Sequence, residues 1–157
     1  MHKTKIDIAK GKREKLIALL NQRLADAFDL KSQSKQAHWN VKGMNFIALH
    51  ELFDQVATEL DPMVDDIAER VTTLGGTALG TVRVAAQNSS LAEYPLEISE
   101  GADHVDALSN ALADFGKKVR ADIDTADELG DADTADLLTG VSRSIDKLLW
   151  FVEAHLQ

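Results

Sequence analysis

From Asn45 to Leu74 the chain carries one unbroken apolar stripe. Leu49, Leu52, Phe53, Val56, Leu60, Met63, Ile67, Val71 and Leu74 recur mostly at three- and four-residue steps, the spacing of one helix face. A helix of that length must lie against partners of similar length. Gly75 and Gly76 follow it as a stop signal, Gly43 ends the segment before it, and Asn45 is placed to cap its start. Pro62 falls inside the stripe, where it removes one backbone hydrogen bond and can kink the axis.

The flanking sequence repeats the pattern. Leu16, Leu20, Leu24, Ala27 and Phe28 mark a first helix from about Lys12 to Val41. Ala102, Val105, Leu108, Leu112, Phe115, Val119 and Ile123 mark a third, from near Ser99 to Leu129–Gly130. A fourth starts at Asp131 or Asp133, with Asp133 expected to cap it, and carries Leu137, Leu138, Val141, Ile145, Leu148, Leu149 and Val152. Residues 75–98 form a long connection whose Ala/Val-rich piece, Thr81 to Asn88, reads as a short helix. No strand pair with hairpin chemistry occurs. The expected fold is all-α: a four-helix bundle with a long crossover connection carrying a short helix, built from residues 12–157 behind a basic arm at 1–11.

Charge is uneven. The formal net charge is −9, yet residues 1–15 hold Lys3, Lys5, Lys10, Lys12, Arg13 and Lys15 against Asp7 and Glu14, a net of +4 that leaves −13 on the rest. Such a body repels nucleic acid and attracts cations. No apolar run is long enough to span a membrane. The first residues lack the apolar stretch of a secretion signal, which points to the cytoplasm. There is no cysteine, so a metal site must use imidazole and carboxylate, a donor set suited to iron, manganese or zinc.

That donor set occurs on the second helix. His50 and Asp54 are four residues apart, as are Asp65 and Glu69, and the four positions fall within roughly 100° of helical arc. Asp54 and Asp65, however, are about 16 Å apart along the axis at 1.5 Å per residue. One copy of the helix cannot gather all four around an ion. Two copies can: an antiparallel two-fold mate crossing near Glu59 or Leu60 would bring His50 and Asp54 of one chain to Asp65 and Glu69 of the other, twice over. His38 completes the site if the first hinge folds it back beside His50. Bundles that bind two irons within one chain carry Glu-x-x-His, and none of the five histidines here follows a glutamate by three. Set against this, a histidine and three acids on a helix are more often a solvated face, and a metal-free structural bundle would show the same spacing. His104 and His155 lack a carboxylate pattern and read as surface residues. Trp150 reads as a packing residue of an amphipathic helix.

The blocks Ala37-His38-Trp39-Asn40-Val41-Lys42-Gly43, Asn45 to Glu51, Asp65 to Arg70, Leu74 to Gly80, Tyr94-Pro95-Leu96 and Thr134 to Phe151 together resemble the Dps family, the DNA-protecting miniferritins of bacteria. The resemblance runs over almost the whole chain after Leu16. It implies a ferritin-like bundle assembled as a dodecamer. It implies ferroxidase ligands His38, His50 and Asp54 from one chain with Asp65 and Glu69 from its mate. It also implies oxidation of Fe(II), preferably by hydrogen peroxide, and storage of the Fe(III) mineral inside a shell. Trp39 would intercept stray radicals. Asp131, Asp133 and Asp136, in an acidic run at the junction of helices three and four, would line an iron-entry pore. Some members bind DNA through lysine-rich tails and so join the nucleoid; Lys3, Lys5 and Lys10 are the counterparts to test here.

Overall fold

The computed structural model describes residues 1–157. Five helices follow one another: α1 (Lys10–Asn40), α2 (Phe46–Thr73), α3 (Val82–Asn88), α4 (Gly101–Glu128) and α5 (Ala132–Glu153). α1 pairs with α2 and α4 with α5, and the crossover lays α3 against α1. The only bridge is an isolated parallel one between Lys42 and Glu100. No helix is long and apolar enough to cross a membrane.

The apolar stripes meet in one core that includes Leu16, Leu20, Leu24, Phe53, Leu60, Ile67, Leu108, Leu112, Phe115, Leu138 and Ile145. Two glycines end helices in the left-handed region, Gly75 at φ +87° and Gly130 at φ +77°. Each closes the same pair of bonds. Gly75 N–H donates to Thr72 O and Gly76 N–H to Val71 O; Gly130 N–H donates to Asp127 O and Asp131 N–H to Ala126 O. Pro62 lies within α2, which continues unbroken past it.

Several expectations need correction. α1 begins at Lys10, so the arm is shorter than residues 1–11. Lys10 is helical and lies 3.6 Å from Glu14; it is not a free tail cation. The arm is docked: His2 N–H donates to Gly75 O at 2.7 Å. Arg13 clasps both strands of this junction, donating from Nε to Ile8 O and from Nη1 to Leu74 O. α4 starts at Gly101, not Ser99, because Ser99 O is occupied by Lys42 N–H. Asn45 holds the N-cap position of α2 without a side-chain bond. Asp131, and not Asp133, caps α5, accepting from Thr134 N–H.

α1 faces α2, α3 and α4, so its polar positions are enclosed as well as its leucines. Asn21, Gln22 and Gln33 bond to backbone atoms of the crossover. Arg23 lies 3.0 Å from Asp26 and 3.0 Å from Asp122 on α4. Asp26, fully buried, also accepts from Ser90 N–H and Oγ–H. A buried charge is tolerated only when paired and hydrogen-bonded in this way.

Candidate metal centre

The turn between α1 and α2 passes through Gly43 at φ +108°, a conformation costly for any residue with a Cβ. It folds the last turn of α1 onto the first of α2 and brings His38 beside His50. The rings stack with centroids 3.8 Å apart. Each ring bonds to the other's backbone: His38 Nδ1 lies 2.7 Å from His50 O, and His50 Nδ1 lies 2.8 Å from His38 O. A carbonyl only accepts, so both Nδ1 atoms carry hydrogen. The tautomer is thereby fixed, and both Nε2 lone pairs are left free. Metal-binding histidines are oriented by this kind of outer bond.

Asp54, one turn after His50, receives Lys35 Nζ at 2.5 Å. That bond holds its carboxyl below the usual range; partial burial opposes it, and the charges of Lys35, His38 and His50 reinforce it. Lys35 also lies 5.6 Å from the ring centroid of Trp39. Asp65 and Glu69 are exposed further along α2. Within one chain no three His, Cys, Asp or Glu residues gather to hold an ion. The chain thus brings His38 and His50 together, with Asp54 one turn further along α2 and Asp65 and Glu69 apart from them. Around the histidines the surface is apolar and exposed: Trp39 at 67%, Met44 fully, Ile47 at 60%, with Phe46 5.0 Å from the His50 ring. Large apolar side chains exposed together around a turn favour an interaction site there.

At the α4–α5 junction the three expected acids separate. Asp131 is buried, with its carboxylate 2.7 and 2.9 Å from Arg70 Nη2 and 2.5 Å from Thr134 Oγ1. Burial alone would raise its pKa, but the Arg70 and Thr134 bonds outweigh that and hold it below the usual range. Asp133 and Asp136 are exposed. Trp150 is 60% exposed, not packed within its own chain. His155 is exposed as expected, but His104 is not: it is 1% exposed and lies 2.6 Å from the Tyr94 hydroxyl. Nothing in the spacing around His104 signals that burial. Lys35 was equally silent, since a lysine three residues before a histidine looks like any solvated position. In the arm, Lys3 and Lys5 are exposed.

Residues 17–157 match the ferritin-like domain family. The chain is 47% identical over 156 residues to the DNA protection during starvation protein of Agrobacterium fabrum, covering 99% of this chain and 96% of that one. The structure superposes on DpsA14 from Streptomyces coelicolor with a TM-score of 0.93 at 34% identity, over 98% and 91% of the two chains. It superposes on the Vibrio cholerae DPS protein, described as one of a broad superfamily of ferritin-like diiron-carboxylate proteins, with a TM-score of 0.92 at 25% identity, over 100% and 98%. Fold and comparisons together define a ferritin-like protein. Within that class, the chain belongs to the Dps family.

Proposed function

We propose that the protein is an iron-oxidising and iron-storing miniferritin whose ferroxidase sites form between two chains. His38, His50 and Asp54 of one subunit bind Fe(II) with Asp65 and Glu69 of a two-fold mate. The observation that carries this reading is the reciprocal His38–His50 bonding, which leaves two fixed Nε2 donors beside an ionised carboxylate on an apolar, exposed surface. Such a half-site needs carboxylates from elsewhere, and Asp65 and Glu69 lie on the same helix at the distance an antiparallel mate would match.

Hydrogen peroxide is the proposed oxidant. It takes two electrons, one from each of two Fe(II), and both of its oxygens leave as hydroxide or water. Oxidation in pairs avoids the one-electron step that releases hydroxyl radical. The Fe(III) is stored as mineral in a hollow shell, proposed as a dodecamer in the bacterial cytoplasm. Iron enters past Asp133 and Asp136, where exposed carboxylates concentrate cations; Asp131 stands behind them as the cap and ion-pair partner that holds the junction. Zinc or manganese fits the same donors. Trp39, exposed beside the histidines, is placed to intercept radicals.

The name of the Agrobacterium relative raises direct DNA contact as a second reading. The docked arm, the Lys10–Glu14 pair and the acidic body weigh against it, because Lys3 and Lys5 are the only arm cations left unengaged. Protection on the ferroxidase reading comes from removing iron and peroxide. A salt-dependent gel shift lost on deleting residues 1–8 would establish the DNA reading instead. The test of the main reading adds Fe(II) anaerobically, then stoichiometric peroxide, to wild type and Asp65→Ala. Fast oxidation with soluble, protein-bound iron in wild type, and loss of both in the variant, is expected. Equal slow oxidation and precipitation in both would overturn it.

A further inference from the structure

The proposed chemistry leaves one buried polar pair unused. Tyr94, on the crossover, and His104, in the first turn of α4, meet with the phenol oxygen 2.6 Å from Nδ1. His104 is 1% exposed, with its ring centroid 6.4 Å from that of the fully buried Phe53, and Tyr94 is half-buried against the core. Phe53 immediately precedes Asp54 in α2. Phe53 thus links the Tyr94–His104 pair to the helix that carries His50 and Asp54.

We propose that Tyr94 and His104 form a quenching pair that reduces one-electron oxidants escaping the His38–His50 centre, Tyr94 giving the electron and His104 Nδ1 taking the proton. The inference rests on the ferroxidase reading for its source of oxidant, but not for the chemistry of the pair. That chemistry follows from hydrogen-bond direction. Burial disfavours the charged imidazole and holds His104 below its usual pKa, and the positive end of α4 acts in the same sense. The resting ring is neutral. His104 Nε2 has no partner at hydrogen-bond distance, but the carbonyls of Asn40 and Ile98 lie near enough to favour hydrogen on the ring. With the ring hydrogen on Nε2, the tautomer this proposal requires, Nδ1 keeps its lone pair and the Tyr94 hydroxyl donates to it across 2.6 Å.

Burial also pushes the Tyr94 phenol well above its ordinary range, so phenolate is not available for oxidation at neutral pH. Electron and proton must leave together. An escaping hydroxyl radical takes one electron and becomes hydroxide. The phenol proton moves to His104 Nδ1, leaving a neutral tyrosyl radical and an imidazolium. Asp103 and the two carbonyls favour that imidazolium. A further Fe(II) then returns the electron, becoming Fe(III), and the proton goes back to the phenol. Trp39, being exposed, would leave its radical in solvent and near other molecules. The Tyr94 ring is half-buried against the core.

Tyr94 is the only tyrosine in the chain, so any tyrosyl signal belongs to it. The test uses the full protein carrying Trp39→Phe and Trp150→Phe, which removes both competing indoles. One arm adds Fe(II) and excess peroxide, with freeze-quenched electron paramagnetic resonance for the radical and absorbance for iron oxidation. The other arm oxidises iron-free protein with photogenerated tris(bipyridine)ruthenium(III). We expect a neutral tyrosyl radical in both arms, lost in Tyr94→Phe. The photochemical arm should slow in D2O, and by at least about a hundredfold in His104→Gln, which keeps a polar side chain but cannot take the proton. No tyrosyl radical, or one formed equally fast in His104→Gln and in D2O, overturns the proposal. If His104→Gln fails to assemble, the D2O comparison on wild type decides alone. A photochemical radical without iron oxidation in the first arm would sustain the pair and sink the ferroxidase reading.

Discussion

If each metal centre is shared between chains, two inactive variants should repair each other. Asp54→Ala damages the histidine half-site, and Asp65→Ala damages the carboxylates that the chain offers its mate. Asp54 is half-buried and Asp65 exposed on α2, and neither is part of the core, so neither change should unfold the bundle. In a homodimer of either variant both sites lack a ligand. In a mixed two-fold pair, one site carries both lesions and the other carries neither. Random reassembly of equal amounts makes about half of the pairs mixed, each with one intact site of two, so about one quarter of wild-type sites return. The magnitude follows from the roughly 16 Å between Asp54 and Asp65 along α2, too far for one ion to bridge within a chain. The assay is the initial rate of Fe(II) oxidation by peroxide after denaturing the variants separately and together and refolding. A rate near one quarter of wild type in the mixture, against background for each alone, is expected. Background in a mixture shown to contain both chains in one shell would refute the shared site.

Further predictions follow from other contacts. Arg70→Ala leaves the buried Asp131 carboxylate unpaired and should cost about 3–5 kcal/mol in urea unfolding, unless the acid limb is reached. Because Asp131 is held below its ordinary pKa in the fold, its contribution is complete above the unfolded value near 3.9 and falls away as pH drops through the native value; Asp131→Asn should flatten the acid limb of a stability–pH curve. Lys35→Gln removes the cation from Asp54, so Asp54 should titrate closer to the ordinary carboxylate range and Zn(II) binding, followed by calorimetry without oxygen, should tighten by a few-fold; unchanged or weaker binding would show that Lys35 does not compete for the carboxylate. Gly75→Ala and Gly130→Ala both force a Cβ into the left-handed region at about 1–2 kcal/mol. The Gly75 Cβ also meets His2 O at 2.7 Å, so Gly75→Ala should be the more damaging in thermal unfolding and should expose the arm to proteolysis.

The bundle was legible because its helices are long, its stripes regular and its stops marked by Gly43, Gly75 and Gly130. The proposal of a shared site could be framed from sequence because His50, Asp54, Asp65 and Glu69 lie on one helix, where spacing converts directly to angle and rise; what the structure adds is the pairing of His38 with His50. Contacts across distant sequence were not. Arg23 meets Asp122, and Gln33 meets Ala92 O, only after the crossover is laid down. His104 looked like a surface residue because its burial depends on Tyr94 and on packing against Phe53. Asp131 and Asp133 are both plausible caps in sequence, and the choice is made by Arg70 on a different helix. Trp150 is exposed because it falls off the apolar stripe, on the face of α5 that carries Arg143, Asp146 and Lys147.

The clasp that ties His2 and Arg13 to Gly75 and Leu74 sets an order of events during synthesis. Every partner of the arm lies in the first half of the chain, so the α1–α2 hairpin can close and lock as soon as residue 75 has left the ribosome. Its contacts are local for a helical pair, the kind that form early. What the hairpin cannot do is finish its own interior. Asp26 and Arg23 must wait for Ser90 and Asp122, and until those arrive a future core carries two solvated charges. The nascent half is thereby kept wet along the flank that α4 will cover.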